Sequence, residues 1–266
     1  MRNLISIVIP NYNSQAHIVK TLNSALHQTY KNFEIVIVDD KSNDASIKII
    51  EKYIQDNADI SINLICLDKN HGMPAAPRNI GVENSNGELI AFLDCDDIWH
   101  PSKLELQMKI FNENKCSFCS TKMADFRNDG NIVFDEISNV KISNVTFRQQ
   151  LLKNRIPTSS VLVKKDLMLK FKFNEGKEYK AREDFDCWLR IHENTDNTIK
   201  INSTLTFYRI VDGQISSNKF EMILKNHTML KNYRLNDGRR LGLIRYFYLV
   251  TQAFLAVYYR VIKKTL

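Results

Sequence analysis

At 266 residues, 44% apolar and 25% charged, the chain has the length for one large domain, or one domain with an appendage, and enough apolar content for a sizeable core. The first apolar run, residues 4–9, is too short for a secretory leader and ends at Pro10, and five cysteines in no disulfide framework make the cytoplasm the expected compartment. The net charge of +7 is uneven: residues 219–266 hold ten Lys and Arg against Glu221 and Asp237, a net +8 on a body near −1, which points to an anionic partner such as nucleic acid or a membrane surface.

Strand and helix signals alternate through the first half, the pattern of a parallel sheet with crossover helices. Residues 5–9 read as a short apolar strand, and residues 15–27 place Ile18, Leu22, Ala25 and Leu26 at helical spacing. Residues 33–38 form a second strand, after which "DDKSND" supplies turn chemistry and an N-cap for an amphipathic helix over 45–54. Residues 62–67 and 89–93 complete four strands, with a loop and a helix ending near Asn84 between them. Ligands of open α/β sheets bind outside the carboxyl ends of the strands, so these polar ends face a crevice. The second half is less regular. Residues 117–126 and 131–134 flank "RNDG" as a predicted hairpin. Residues 147–153 read as a short helix, 160–163 as a strand, and "KEYKAREDFDCWLRIHEN" as a charged loop entering a helix whose first turn holds Glu183 and Asp184. Acids there suit the positive end of a helix dipole. Cys116 and Cys119 form a CxxC without the second pair a zinc site needs, which assigns them to core packing. Beyond Lys219 the pattern gives two helices and no strand.

The stretch "LIAFLDCDDIW", residues 89–99, runs five apolar residues straight into Asp94, Asp96 and Asp97. Carboxylates held this close raise one another's pKa and cost stability unless a cation neutralises them. Hard oxygen ligands favour magnesium or manganese over zinc. The plainer alternative is a solvated acidic turn that ends the strand.

Five segments in chain order resemble the inverting family 2 glycosyltransferases, whose catalytic domain has the nucleotide-diphospho-sugar transferase fold called GT-A. They are "SIVIPNYNSQAHIVKTLNSALHQTY", "FEIVIVDDKSND", "NHGMPAAPRNIGVENSNGELIAFLDCDDIWHPSKLE", "REDFDCWLRI" and "YRIVDGQIS", spread over residues 3–215. The third matches an ARN-like loop, a strand, a DxD motif and a W-x-P-x-K-L helix. The resemblance implies an α/β fold with a mostly parallel mixed sheet and flanking helices, with a GT-A catalytic domain over 1–218 and a basic, aromatic-rich helical extension over 219–266. It also implies roles. Pro10 and Tyr12 would lie near the nucleotide base, and Asp40 would accept the imide N–H of uracil, with Asp39 equally suited to a structural part. Arg78 would meet the donor diphosphate, its guanidinium fork matching phosphate oxygens; Pro77 stands where Ala is commoner. Asp94 would hold the sugar or ribose, and Asp96 would bind Mn²⁺ or Mg²⁺. Asp97 would assist the metal or, as an alternative, cap the following helix. Asp184 would be the base that deprotonates the acceptor hydroxyl, with Glu183 second. Arg209 and Ser216 would close over the donor phosphates, Ser216 fitting an ordinary surface position as well.

The implied reaction moves a hexose or N-acetylhexosamine from a UDP-sugar to a lipid-linked or oligosaccharide acceptor of a bacterial polysaccharide, O-antigen or capsule, with no nucleic acid involved and an oligomer left open. Two other classes compete. A haloacid-dehalogenase phosphatase also places two aspartates after a strand, but its motif sits near the chain start and carries Thr or Val where Ile98 stands. A non-enzymatic nucleic-acid binder would use the basic tail and leave the carboxylates idle. A sugar-nucleotide-forming nucleotidyltransferase would need a Gly-rich loop after the first strand, and residues 10–15 hold no Gly. The tail stretch 239–264 has 14 uncharged residues between Arg245 and Arg260, fewer than the roughly 20 that span a bilayer, and Thr251 and Gln252 interrupt it. Its aromatic residues and basic ends suit a helix lying on a membrane surface at the inner face of the cytoplasmic membrane, or one packed on protein.

Overall fold

A computed structural model of the chain describes residues 3–128, 130, 132–210 and 219–265; the side chains of 219, 220, 256, 257 and 259–265 are not among those described. Strands β1 (Ile5–Asn11), β2 (Phe33–Asp39), β3 (Ile62–Cys66) and β4 (Leu89–Phe92) run parallel in the order β3-β2-β1-β4. The sheet continues through β8 (Leu162–Lys164), β6 (Phe118–Phe126), β9 (Thr198–Arg209) and β5 (Ile98–Trp99), while β7 (Ile142–Asn144) pairs with β9. Strand β8 is antiparallel to both β4 and β6, β9 runs parallel to β6, and β5 is antiparallel to β9, so the sheet is mixed, as expected from the sequence.

Why β1 and β4 read as unbroken apolar runs is plain from their two faces. Successive side chains alternate across a strand. Ile5, Ile7, Ile9, Leu89, Ala91 and Leu93 pack beneath α1 (Ile18–Leu26), α2 (Ser46–Asp56) and α4 (Lys103–Glu113). Val8, Ile90 and Phe92 pack beneath α3 (Ala75–Glu83), α6 (Lys165–Lys170) and α7 (Glu183–Asn194). Helix α3 lies so close that a Cβ on Gly81 would come within 2.4 Å of Val8 Cγ1, a contact that only glycine permits. On the far side Trp188 of α7 meets Phe92, Phe118 and Phe173 with ring centroids 5.2–6.1 Å apart.

The chain passes from β1 to β2 and β3 on one side, then crosses back to lay β4 on the other side of β1. That reversal opens a crevice at the carboxyl ends of β1 and β4. Asn11, Asp39 and Asp94 all lie at this edge, since Asn11 is in register with Asp39 and the Leu93 N–H donates to Val8 O, 3.1 Å away.

Three sequence expectations need correction. Residues 132–134 form no strand: β9 takes one edge of β6 along its whole length, and Ile132 and Phe134 pack against Phe126, Phe207 and His100 without ladder bonds. The expected strand 160–163 begins later, because residues Thr158–Ser160 form a 3₁₀ turn ahead of β8. Strand β9, twelve residues long, went unread. Both thiols of the CxxC are buried in the core.

Helices α8 (Lys219–Asn232) and α9 (Ile244–Thr265) follow the sheet. Met229, Leu230 and Tyr233 pack with Leu241 against Leu151, Tyr179, Phe185 and Leu189. Helix α5 (Phe147–Leu152), entered through a Thr146–Gln149 capping box, meets α9, where Gln252 Nε2 donates to Leu151 O at 2.7 Å. Gln252 therefore faces the protein, and Thr251 bonds within its own helix to Phe247 O. Among the described residues no helix is long and apolar enough to cross a membrane.

Candidate active site

The acidic turn after β4 is built against residues from three other segments. The Asp97 N–H donates to Asp94 O (3.1 Å), closing the turn, and the Asp94 N–H donates to Ser159 Oγ (3.0 Å). Asp97 is buried, and its Oδ1 accepts the backbone N–H of Arg209 at the end of β9 (3.1 Å). Helix α4 starts at Lys103 with Ser102 as its N-cap residue, so Asp97 does not cap it. Burial first, and then Asp96 and Asp94, hold the Asp97 carboxyl well above the usual range. Burial and Asp94 push Asp96 up to about 6 although the Arg209 guanidinium pulls the other way. The Arg209 Nε donates to Asp96 O (2.9 Å), and its guanidinium carbon lies 4.5 Å from the centroid of the Phe126 ring.

Arg78 joins this turn to the start of α7. Its Nη2 donates to Asp94 Oδ1 at 2.6 Å and its Nη1 to Glu183 Oε1 at 3.3 Å, with the guanidinium over the Phe173 ring. Burial works against its charge, but Asp94 and Glu183 raise the pKa above the ordinary value. Glu183 is buried and its Oε2 has no hydrogen-bond partner; burial and Asp184 hold its carboxyl up, opposed by Arg78. Asp184, half-buried, is also held up by burial, opposed by Arg182 and Arg78, and its Oδ2 accepts from Asn154 Nδ2 at 3.4 Å. Ala181, just ahead, has φ +65, a left-handed conformation uncommon for alanine and typical of strained functional positions.

Arg78, Asp94, Asp97, Ser159, Glu183 and Asp184, among others, line one cleft of about 540 Å³, part of it open solvent; Asp96 and Arg209 lie next to it in the acidic turn and at the end of β9, outside its lining. The Trp99–Lys103 segment braces it from behind. Trp99 Nε1 donates to Ser159 O (2.7 Å), Gln107 Nε2 to Ser160 O (2.9 Å), and the Lys103 ammonium sits 3.9 Å from the Trp99 ring and donates to Gln107. Burial lowers Lys103 to about 7.

The other sequence candidates lie beside this cleft, not in its lining. Pro10 is buried in β1 opposite Val38. Tyr12 is 48% exposed, and its backbone N–H meets the Cys95 thiol within the acidic turn. Asp40 is buried and its carboxylate accepts the His71 N–H at 2.9 and 3.0 Å and meets His71 Nδ1 at 2.8 Å. Asp39 is engaged within the protein, its oxygens taking Asn11 Nδ2, the Ser42 N–H and the Ser42 hydroxyl at 2.6–2.8 Å. Ser216 lies outside the described residues. Sequence reasoning missed Ser159, Asn154, His71 and Phe173. The one signal for Ser159 was a small polar run, "PTSS", directly ahead of a strand.

Among the described residues no group of three or more His, Cys, Asp and Glu side chains is arranged to hold a metal by itself. The donor set nonetheless fits a hard divalent cation. Asp96 is a carboxylate with excess negative charge around it, and magnesium-type ions are held by one or two carboxylates and complete their shell with water and substrate phosphate.

A model of the family described as Glycosyl transferase family 2 matches residues 6–174. The Escherichia coli UDP-Glc:alpha-D-GlcNAc-diphosphoundecaprenol beta-1,3-glucosyltransferase WfgD is 31% identical over 257 residues, 96% of this chain and 94% of that protein. The crystal structure of S. aureus TarS 1–349 in complex with UDP-GlcNAc superposes with a TM-score of 0.67 at 24% identity, over 88% of this chain and 68% of that one. The mannosyltransferase PcManGT of Pyrobaculum calidifontis, in complex with GDP-Man and Mn²⁺, gives 0.66 at 14% identity, over 95% and 74%. The last two show a shared fold.

Proposed function

The chain belongs to glycosyl transferase family 2, and on that premise we propose that it moves a hexose or N-acetylhexosamine from a UDP-sugar to a hydroxyl of a lipid-linked glycan, with inversion, by one metal-assisted displacement. The catalytic domain spans 1–218 and the helical extension 219–266. The observation that carries the reading is Arg78, which ties Asp94 of the acidic turn to Glu183 at the head of α7 around a single cleft. The donor class and the lipid-linked acceptor rest on what WfgD is named for, and UDP on TarS as well.

The residues divide the work as follows. Asp40, oriented by His71, keeps lone pairs for the uracil imide N–H, because a carboxylate can accept several hydrogen bonds. Pro10 and Tyr12 flank the base. Asp94 holds the sugar or ribose. Arg78 and Arg209, which contact the acidic turn, would stabilise charge on the leaving diphosphate. Asp96, backed by Asp97, would hold Mg²⁺ or Mn²⁺, and the bound ion would neutralise the diphosphate as a Lewis acid. Asp184 removes the proton of the acceptor hydroxyl, and the hydroxyl oxygen attacks the anomeric carbon from the face opposite the departing UDP.

Asp96 gives a test whose two readouts move in opposite directions. Its folded pKa is raised, so ionisation costs stability; the cost starts near the unfolded pKa, grows as pH rises and is fully present above about 6. At pH 7.5, Asp96→Asn is expected to stabilise the ligand-free protein by on the order of 1 kcal/mol. It is also expected to remove the Mn²⁺ dependence of UDP binding measured by calorimetry. Equal UDP affinity of the unaltered protein in EDTA and in Mn²⁺ would defeat the metal assignment.

We assign to α9 a place on the inner face of the cytoplasmic membrane. Its inner side, with Tyr248, Leu249 and Gln252, packs on the protein, whereas Phe247, Val250, Phe254 and Tyr258 form an exposed stripe at helical spacing. Arg239, Arg240 and Arg245 precede this stripe and Arg260, Lys263 and Lys264 follow it, a charge pattern complementary to anionic headgroups. Because α9 also packs inward, point substitutions test it more cleanly than truncation. Phe247→Ser with Phe254→Ser is expected to abolish flotation with anionic liposomes while leaving Tm and UDP affinity unchanged. Unchanged flotation of that variant would assign the stripe to another role.

A further inference from the structure

We propose that Lys153, Arg155 and Lys200, with Lys122 behind them, bind the diphosphate of the acceptor, at an anion subsite separate from the one that holds the donor diphosphate. The proposal rests on the acceptor class proposed above, a sugar joined through diphosphate to a lipid. Residues 153–157 leave α5 as irregular chain and carry Pro157 into the lining of the cleft. Asn154, in the middle of this segment, donates to Asp184 Oδ2. Consecutive Cα atoms are about 3.8 Å apart, so Lys153 and Arg155 stand on either side of the group that touches the assigned base. Lys200 of β9 brings a further cation to the same place, its Nζ donating to Arg155 O at 2.7 Å.

The electrostatics point the same way. Burial lowers the Lys200 ammonium, and the charges that lower it further are Arg155, Lys153 and Lys122, all cations. Three cations acting on Lys200 leave this group of side chains favouring an anion. In a sugar-diphosphate acceptor one sugar ring separates the attacked hydroxyl from the diphosphate. With the hydroxyl at Asp184, that geometry directs the diphosphate to the rim just outside it. Arg209 contacts the acidic turn and Arg78 bridges that turn to Glu183, and the donor diphosphate is assigned to these two. The two diphosphates thus take two sets of cations.

Phosphate-bearing lipid headgroups share this chemistry, and the experiment separates them. With the donor site filled by saturating UDP, calorimetry with geranyl diphosphate is expected to show binding to the unaltered protein. Binding should weaken about tenfold or more in Arg155→Gln/Lys200→Gln, the loss of two charge-assisted contacts, with UDP affinity unchanged. If the double variant fails to fold, Arg155→Gln alone, at an exposed position, carries the test. In transfer assays kcat/KM should fall for a diphosphate-linked acceptor and stay the same for an alkyl glycoside of the same sugar. No geranyl diphosphate binding, or equal binding by protein and variant, overturns the proposal. So does weaker flotation of the variant on phosphatidylglycerol vesicles with geranyl diphosphate binding intact, which assigns the patch to headgroups. Absence of transfer from every UDP-sugar would defeat the functional reading, and the calorimetric result would still stand by itself.

Discussion

Asp184→Asn is expected to lower the rate of sugar transfer by about two to four orders of magnitude, the usual loss on removing a general base, while UDP affinity changes less than about twofold. The split follows from position. Asp184 lines the cleft on the side of Asn154 and the 153–157 segment, whereas the groups assigned to the nucleotide lie at the ends of β1, β2 and β4. Within the ED pair, Arg78 holds Glu183 Oε1 and leaves Oε2 without a partner, while Asp184 Oδ1 accepts the Phe185 N–H at 2.6 Å and its Oδ2 the Asn154 amide, so the proposed assignment to Asp184 is decided by comparing Asp184→Asn with Glu183→Gln. Burial raises Asp184, which makes it a stronger proton acceptor near neutral pH. The base must be ionised to act, so activity is lost as pH falls through the raised pKa. The acid limb of kcat/KM should therefore lie above the value of about 3.9 for an ordinary aspartate, and it should vanish in the variant. Glu183→Gln losing activity while Asp184→Asn retains it would transfer the role to Glu183.

Arg78→Met is expected to cost about 3–5 kcal/mol of stability and most of the activity, because removing one partner of a buried ion pair strands the charge of the other. Here two carboxylates are stranded, Asp94 and Glu183, and Glu183 is already held up by burial and Asp184. The sign of the pH dependence follows. Without Arg78 the folded-state pKa of Glu183 rises further, so the deficit grows as pH rises and shrinks as pH falls and the carboxyl protonates. Arg78→Lys keeps the charge but not the fork that reaches both partners, and its Tm should fall between the two. Thermal denaturation at pH 5 and pH 8 measures both effects; equal deficits at the two pH values would contradict the stranded-carboxylate account.

The parallel half of the sheet was legible because β1, β2 and β4 are buried on both faces and leave continuous apolar runs. Strand β9 was not, and its ladder with β6 says why. Thr121 pairs with Ile201, Lys122 with Thr204 and Met123 with Thr206, so β9 carries extra residues at 202–203 and again at 205. Such bulges break the period-2 alternation that marks a strand. Strand β5 is two residues long and hidden inside "DDIW". The carboxylates of the site could be found because so much charge at the end of a buried strand is costly. Ser159 stands 65 residues beyond Asp94, Asn154 stands 30 residues before Asp184, and Phe173 meets Arg78 from the chain after α6, and sequence spacing carries no trace of those contacts. The tail sequence suits both a packed helix and a membrane-surface helix. In the structure α9 packs one face on the protein and leaves the other exposed.

The central claim is a single displacement at the Asp94–Arg78–Asp184 cleft, and the configuration of the product tests it most directly. The purified protein would be incubated with Mn²⁺, a panel of α-linked UDP-hexoses and UDP-N-acetylhexosamines, and an acceptor carrying a sugar diphosphate on a short lipid, and the new linkage read by NMR. The account predicts a β-linked product from one of these donors, absent with Asp184→Asn although that variant still binds UDP. An α-linked product, or full transfer by the variant, would contradict it.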